Sequence, residues 1–500
     1  MKHLKAIDFF CIGFGAIVGV GWAVSINNWM VSSGGPIPAA VGYILVLLMM
    51  IPIAMCYCEL VPMFPVAGGG SIFAYMAFNE GAAALSGWAS YGAFIAIIPW
   101  EAIQITTLLS FLFPGLTGGA PLYTCLGSPI YPGTVLIGVL FSVVLFLINI
   151  RGLSSAATLQ KALCVVLFCT ALIGAAASAI GGDAANLRPV YDVSAPEIYG
   201  PGLAGVTHST FLGGSFAIVA SAAFFLAGFE TIPQCVEDAG GDIRSVGKTV
   251  VLSVTMACLF YALLLICFGM GWPWQDFSHM ARPAAATMFK YLYPGTLGVT
   301  LYSLIVVGAI AGLITTWNGF FSSSANLLMS MSRSLIMPAV FAKQNRRGVA
   351  VNGQLVCLAL SVVGPLLGAN LIDVLTCFSS AAFMLSWAIT AWSLVGCRRK
   401  YPQMDRPYRI PGGIWTGIFA GVSSSAAFIA MFIKTSPCYI GDLSIRVFAV
   451  WIALGAALYL LGAKSRRALP QEERISRLCG GKDLLSRRSL ETRQRTARES

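Results

Sequence analysis

Two glutamates lie inside long apolar stretches of the sequence, where an ionised side chain is hardest to accommodate. Glu101 follows Pro99-Trp100, and Glu230 lies two residues after Gly228. A charge at the centre of a bilayer costs at least about 2.5–3.5 kcal/mol, so an acid in such a place marks a candidate functional site. A carboxyl there could alternate between carrying a proton and pairing with a cation. The structural alternatives are a bond to a neighbouring helix for Glu101 and a bond to freed backbone for Glu230.

A run of glycines in the first apolar stretch is the second candidate. Gly13, Gly15, Gly19 and Gly21 follow one another within nine residues, and each glycine costs about 1 kcal/mol in a helix. A helix broken here would expose N–H groups at a partially positive end, which could hold a carboxylate. Gly19, Val20 and Gly21 are placed to offer these donors, because glycine lets a ligand approach the backbone. For the glycines alone, close packing through Gly15-x-x-x-Gly19 is an equal alternative.

A comparable weak point surrounds Glu230. Gly228 precedes it and Pro233 follows, and a proline costs about 3 kcal/mol inside a helix. The carbonyls of residues 225–227 could face an ammonium group at this break. The two weak segments lie five apolar runs apart, which is the pattern of a transporter built from two inverted repeats. Their paired positions favour a substrate site over simple packing.

Membrane-spanning helices must position these residues. Apolar residues make up 57% of the 500, charged residues only 10%, and the mean hydropathy is +0.80. A soluble domain carries roughly 25% charged residues, so most of this surface must face lipid. Runs of roughly 20 apolar residues, enough for one crossing each, lie near 7–32, 37–62, 86–113, 132–149, 159–180, 209–234, 249–271, 298–331, 354–369, 372–396, 414–434 and 446–463. They lack the alternation of a β-barrel and predict an all-α polytopic membrane protein with about twelve transmembrane helices.

The net charge of +11 does not indicate a nucleic-acid partner, because the cations are concentrated on one side of the predicted topology. If the amino terminus is cytoplasmic, 26 of the 31 lysines and arginines fall in cytoplasmic connections or in the tail. The positive-inside rule accounts for this bias. We expect a multi-pass protein of the cell (inner) membrane with both termini in the cytoplasm. The glycine-rich first run is too long for a cleaved signal peptide and is read as the first span.

The chain divides into one membrane domain, 1–463, and a basic tail, 464–500. The tail could lie on an anionic leaflet or be merely solvated. No extramembrane stretch is long enough for a soluble catalytic domain. The three histidines are scattered and no CxxC pair exists, so neither a zinc site nor an iron–sulfur site is expected. No metal and no other cofactor is predicted.

Six segments, taken in order along the chain, carry a resemblance to a known family. They are Gly15-x-x-x-Gly19-x-Gly21, Glu59-Leu60 with Pro65 to Tyr75, Asn149-Ile150-Arg151-Gly152 with Gln160, Phe225 to Glu230 with Glu237-Asp238, Pro338 to Gly348, and Arg406 to Gly413. On these residues the chain resembles the amino acid–polyamine–organocation superfamily of permeases over nearly the whole membrane domain. Each match alone is weak, whereas six in order at the expected helix boundaries are specific.

The resemblance implies a leucine-transporter-like fold, a 5+5 inverted repeat with broken helices 1 and 6. Repeat one would cover about 7–180 and repeat two about 209–396, followed by helices 11 and 12. It also implies a permease, a secondary active transporter that moves amino acids or related amines by alternating access, with an aromatic gate in span 6. The predicted substrate-binding residues are Gly15, Gly19, Val20, Gly21, Glu101, Phe224, Phe225, Gly228 and Glu230.

One departure from the family concerns ion coupling. Some members carry a lysine where this chain has Leu167, and Lys161 lies too near the predicted cytoplasmic end to replace it. A lysine-based proton switch is therefore not expected, and Glu101 or Glu230 would have to titrate if uptake is proton-driven. Serines 322–324 could offer hydroxyls to sodium, although such serines more often bond their own backbone or a neighbouring helix. The coupling mode stays open among proton, sodium and exchange.

A polytopic membrane protein could also be an enzyme, a channel-like facilitator or a sensor. A membrane enzyme needs a convergent set of reactive groups, which the few intramembrane ionisable residues do not supply. A channel-like facilitator should show repeated filter sequences, and none occurs. A transport-inactive nutrient sensor with the same fold stays open. With two buried acids and no clear intramembrane cation, we expect a neutral or cationic amino acid or amine as substrate, not a dicarboxylate. The implied partners are this substrate and membrane lipid, with no obligate protein partner.

Overall fold

A computed structural model of the chain describes residues 6–192, 210–238, 243–277, 280 and 283–478. The three histidines, Lys2, Lys5, Arg282 and residues 479–500 of the predicted tail lie outside these ranges. The first half consists of helices α1 Ala6–Ile17, α2 Gly21–Val24, α3 Ile26–Ser33, α4 Pro36–Met63, α5 Gly70–Ala77, α6 Glu80–Leu112, α7 Pro132–Asn149, α8 Leu153–Gly181, α9 Phe211–Phe225 and α10 Thr231–Gln234.

The second half continues with helices throughout. They are α11 Ile243–Gly271, α12 Trp274–Phe277, α13 Ala284–Leu292, α14 Thr296–Arg333, α15 Val351–Leu367, α16 Ile372–Lys400, α17 Ile414–Ala430, α18 Asp442–Leu461, α19 Ala463–Arg467 and α20 Gln471–Leu478. The strands of the described ranges, β1 Tyr123–Cys125 and β2 Ser128–Ile130, form a short antiparallel hairpin with Tyr123 opposite Ile130.

Local sequence signals fix several helix ends. The Asn79 side chain accepts the amide of Ala82 at 2.9 Å and caps α6. The Thr210 hydroxyl accepts the amide of Gly213 at 3.1 Å and caps α9. Gly34 ends α3 in the left-handed conformation, as a glycine after a helix commonly does. Each of these helix ends therefore has a local cause in the residue at the terminus.

The observed helices confirm the all-α polytopic prediction. Within the described ranges, nine helical segments are long and apolar enough to cross a membrane, and α15 and α17 are shorter apolar helices. The interrupted pair α9 and α10 supplies the sixth predicted run. The short ninth run is α15, which ends at Leu367, and Gly368 separates it from the tenth.

The central helices pack in pairs that lie five spans apart. α4 packs along α11, α6 against α14, and α7 against α15, which pairs spans 2 and 7, 3 and 8, and 4 and 9. Helices related by an in-plane pseudo-two-fold axis can meet in this way. The repeat boundaries themselves stay a prediction. Within this bundle, α1 contacts α8, α11 and α14, so the broken first span lies at the centre.

The first part of the predicted tail contacts the membrane domain. Arg466 and Arg474 both pair with Glu80 at the start of α6. Arg466 also donates to the carbonyl of Leu335 at 3.2 Å, beyond the end of α14. Leu478 is fully buried. Residues 463–478 thus form a docked segment on the face of the bundle where α6 begins.

Candidate functional site

The first predicted helix breaks where the glycines lie. α1 ends at Ile17 and α2 begins at Gly21. The amide of Gly19 donates to the carbonyl of Ile17 at 3.0 Å. For the next three amides, those of residues 20–22, the described part of the chain offers no hydrogen-bond acceptor. A broken helix leaves such donors free, and they could bind a carboxylate.

The second break lies between α9 and α10. Gly228 there has a φ of +140°, a conformation that glycine adopts readily and that residues with a Cβ rarely adopt. Its amide donates to the Glu230 carboxylate at 2.9 Å. A Cβ at this position would lie 2.5 Å from the carbonyl carbon of Ala16. The two breaks therefore cross in direct contact, and only glycine permits that approach.

The carbonyls beside the second break are only partly free. The Tyr261 hydroxyl of α11 lies 3.0 Å from the carbonyl oxygen of Ile17 and 3.3 Å from that of Phe225. One tyrosine therefore joins both breaks. Among the described residues, no donor reaches the carbonyls of Leu226 and Ala227. These two carbonyls, more than that of Phe225, could face an ammonium group.

A small cavity lies between the two breaks. Six of the nine predicted site residues line it, namely Gly19, Val20, Gly21, Glu101, Phe224 and Phe225. Its volume is about 20 Å³, which is room for roughly one water molecule. An amino acid needs more space, so this conformation holds the site closed.

The other three predicted residues lie behind the cavity. Gly15 faces Gln160, whose amide nitrogen would lie 2.9 Å from an added Cβ, and its carbonyl lies 3.4 Å from the Thr316 hydroxyl. Gly228 and Glu230 form the break itself and do not line the cavity. These three residues therefore hold the backbone that surrounds the cavity and do not line it.

Glu101 is the acidic side chain of the cavity. It lies on α6 and is 2% exposed. Its Oε2 has no hydrogen-bond partner in the part of the chain that the structure describes. No lysine, arginine or histidine is among the residues that line the cavity. A buried carboxyl in this setting must either carry a proton or meet a cation that enters from outside.

Glu230 is bonded in a different way. It is 3% exposed, and its Oε2 accepts the Gly228 amide at 2.9 Å. Its Oε1 accepts the indole N–H of Trp387 on α16. Both oxygens are therefore engaged in bonds that hold the break, as in the structural alternative considered for this residue.

Aromatic rings cover the cavity on the side away from the start of α1. Trp29 on α3 packs against Tyr43, Phe225 and Tyr261 with ring centroids 5.2, 4.9 and 5.2 Å apart. Trp100 packs against Phe224 at 5.1 Å. The aromatic pair predicted as a gate, Phe224 and Phe225, thus belongs to a larger cluster.

Hydrogen bonds close the opposite side. The amide of Ala67 donates to Glu237 at 3.0 Å, and that of Gly68 donates to the Gln234 side chain at 3.0 Å. Arg333 at the end of α14 pairs with Glu237 at 2.8 Å. The segment after α10 is therefore tied both to the loop before α5 and to α14. The central cavity is covered on both sides.

Several cavity residues were not in the predicted set, although simple signals pointed to some of them. Trp100 directly precedes Glu101, and Thr316 and Phe320 lie four residues apart on one face of α14. Ile97 lies one turn before Glu101 on α6. Spacing shows which of these share a face, but not which helix lies opposite.

The residues considered for ion coupling are also placed. Leu167 is fully buried, and Lys161 pairs with Asp8 at 2.5 Å. Ser322 donates to the Asn149 side chain. Of the serines and threonines on α14, Thr316 lines the cavity and approaches the first break.

Comparison with known proteins adds the family. A family model described as amino acid permease matches residues 4–455. The chain is 19% identical over 478 residues to the branched-chain amino acid permease BcaP of Bacillus subtilis, covering 94% of this chain and 95% of that one. It is 24% identical over 352 residues to cationic amino acid transporter 9, chloroplastic, of Arabidopsis thaliana, covering 69% and 57%. It is 23% identical over 429 residues to the glutamate/serine transporter AimA of Bacillus subtilis, covering 82% and 74%.

Proposed function

The chain belongs to the amino acid permease family, and on that basis we propose that it is a secondary active transporter that moves an amino acid or related amine by alternating access. Its family and relatives are transporters and not enzymes. The observation that carries the proposal is the joint placement, at one covered cavity, of free amides from the first break and the Glu101 carboxyl. Positive helix ends and a carboxyl together suit a solute with both an anionic and a cationic group.

Substrate entry requires the cavity to enlarge. The present volume, about 20 Å³, admits roughly one water. The covers differ in chemistry: aromatic packing around Trp29 on one side, and the Glu237–Arg333 pair with the Gln234 bond on the other. Opening one cover while the other stays shut would give the alternating access of the proposal. The positive-inside distribution of lysines and arginines supports cytoplasmic termini in a cell membrane.

Glu101 is the residue proposed to couple transport to protons. Glu101 lines the cavity and its Oε2 has no hydrogen-bond partner among the described residues, whereas both oxygens of Glu230 are bonded and Lys161 is paired. Tyr261 on α11 is a titratable side chain that interacts electrostatically with Glu101. A proton on Glu101 would remove the need for a cationic partner in the closed state. Its release would accompany opening to water.

The deciding experiment is flux into proteoliposomes. Purified protein is reconstituted into vesicles, and radiolabelled amino acids or amines are added outside them, with and without an imposed proton gradient. Saturable uptake that the gradient drives is the expected result. Ligand-dependent thermal stabilisation without any flux would support a transport-inactive sensor, and non-saturable flux would support a facilitator. Either outcome would overturn the carrier proposal.

A further inference from the structure

A long apolar groove lies on the outside of the bundle, between α6, α15, α16 and α18. Its volume is about 460 Å³, within the range of roughly 300–1,000 Å³ that small-molecule sites occupy. Ala96 and Phe378 on the floor are buried, whereas Val363, Val450 and Leu454 on the rim are 42–69% exposed. Thirteen of the fourteen lining residues are apolar, and the exception is Arg446.

The groove opens on a surface that faces lipid. α18 supplies one wall, and only 17% of the residues in its most apolar stretch are buried inside the protein. A groove with apolar walls in this position meets acyl chains, since water does not enter the hydrocarbon region. The material that fills it must be apolar over most of its length.

Arg446 is the polar end of the groove. It is exposed on α18, one turn after the helix begins at Asp442. Within the described residues it forms no hydrogen bond or close ion pair, and its electrostatic partner is Asp442, four residues before it. Asp442 is the neighbouring acid, and its oxygens are already engaged by Lys434, at 3.3 Å, and by the Tyr439 hydroxyl. The three charges at this end therefore leave a net charge of +1.

The length of the groove fits one leaflet. On α18, Leu454 comes eight positions after Arg446, which is about 12 Å along a helix. Half of the hydrocarbon core is about 15 Å. Arg446 lies near the end of α18 remote from the chain termini, so the groove runs from that membrane surface toward the midplane. An occupant with a charged head and an apolar tail would match both ends.

We propose that this groove is a binding site for an anionic phospholipid, with an acyl chain along α18 and the headgroup phosphate on Arg446. A guanidinium binds phosphate through two parallel hydrogen bonds, and the apolar walls exclude a free anion from the rest of the groove. Pro99 in the groove directly precedes Trp100 and Glu101, Ala96 lies one turn before Trp100, and Trp100 donates to Thr376 of α16 at 3.0 Å. The bound lipid would therefore support the helix that carries Glu101.

Native mass spectrometry of the delipidated full chain tests the headgroup contact. The protein is titrated with phosphatidylglycerol and with phosphatidylcholine of matched acyl chains. Both lipids carry the phosphate, but phosphatidylcholine also carries a cationic choline, which the net positive charge at this end of the groove disfavours. We therefore expect one retained phosphatidylglycerol with roughly tenfold preference, which is the ratio that about 1.4 kcal/mol supplies. Arg446→Gln should abolish the preference, whereas Arg188→Gln, which removes an exposed arginine that does not line the groove, should retain it. An unchanged preference in Arg446→Gln would overturn the proposal.

Filling the groove tests the acyl-chain contact. Val363→Trp with Val450→Trp places bulk at two exposed rim positions and should remove the retained lipid of either headgroup. Val422→Trp, on the exposed face of α17, is the control and should leave it. Unaltered lipid retention in the filled variant would sink the assignment. A lipid-free dimer that dissociates when the groove is filled would also overturn it, because a second copy would then be the occupant. Both readouts are independent of transport.

Discussion

Trp387 of α16 donates its indole N–H to the carboxylate of Glu230, whose other oxygen accepts the amide of Gly228. The carboxylate thus links the break in the sixth span to the tenth span. Glu101, the other deeply buried acid predicted from the sequence, has an oxygen without any partner in the described residues. Two acids with the same sequence signal therefore have different surroundings, and different consequences follow from their removal.

Replacing Glu230 should destabilise the protein. In Glu230→Gln, the amide NH₂ would face either the Gly228 amide or the Trp387 indole, and one buried donor would lose its acceptor, at about 1–3 kcal/mol. We expect a lower Tm in detergent and reduced uptake with an unchanged dependence on pH. Trp387→Phe, which removes one donor and keeps the ring, should lower the Tm less. An unchanged Tm for Glu230→Gln would show that the bonds do not support the fold.

Replacing Glu101 should act on coupling while the fold persists. Glu101→Gln keeps the shape and removes the titratable proton, so proton-driven uptake should lose its pH dependence. The Tm should not fall, because no hydrogen bond to Oε2 is lost. Proteoliposome uptake measured beside Glu230→Gln separates the two acids. Wild-type pH dependence in Glu101→Gln would place the proton carrier elsewhere or indicate exchange.

A side chain at Gly21 should block the site. A Cβ there would lie 2.4 Å from the Phe225 ring, closer than two carbon atoms can approach. Gly21→Leu should therefore abolish ligand-induced thermal stabilisation and flux, while the protein still inserts in the membrane. Gly115→Leu is the control, because nothing lies within 4 Å of a Cβ at that position. Ligand binding that survives in Gly21→Leu would remove the first break from the site.

The cavity should discriminate by charge. It contains the Glu101 carboxyl and no lysine, arginine or histidine, so a second substrate carboxylate would meet uncompensated negative charge in a low dielectric. Neutral or cationic amino acids or amines should raise the Tm, and glutamate or aspartate should not. Relatives of this chain include a glutamate/serine transporter, so the family alone does not decide this point. Saturable glutamate uptake that neutral amino acids and amines do not compete for would contradict the prediction.

Glu59 should be the most damaging acid to remove for stability. It is fully buried and accepts hydrogen bonds from Arg398 Nε at 2.9 Å and from Arg398 Nη2 at 2.5 Å. Its carboxylate also lies 3.3 Å from Arg406 Nε. It also accepts the amide of Ile410 at 3.0 Å. Breaking a buried pair costs about 3–5 kcal/mol, so Glu59→Gln should lower the Tm strongly. Glu473→Gln, an exposed pair with Arg477, should change it little.

The amino-acid sequence by itself determined the class of the protein. Continuous apolar runs, which must satisfy their backbone within helices in lipid, predicted α-helical crossings, and the glycines near Gly19 and Gly228 predicted both breaks. These are local properties of a segment, and local properties can be read from the sequence. Six of the nine predicted site residues line one cavity; five of them belong to the segments around the two breaks, and the sixth, Glu101, lies on α6.

Only the tertiary structure decided how side chains from different spans meet. Nothing near Glu230 in the sequence indicates that the indole of Trp387, 157 residues away, donates a hydrogen bond to its carboxylate. In the same way, nothing near Glu101 indicates that its Oε2 has no hydrogen-bond partner among the described residues. Likewise, Tyr261 joins the two breaks, and Arg446 lies at the mouth of a groove walled by four helices. Such contacts depend on the rotation and packing of whole helices, which hydrophobic periodicity leaves open when a helix is apolar on every side.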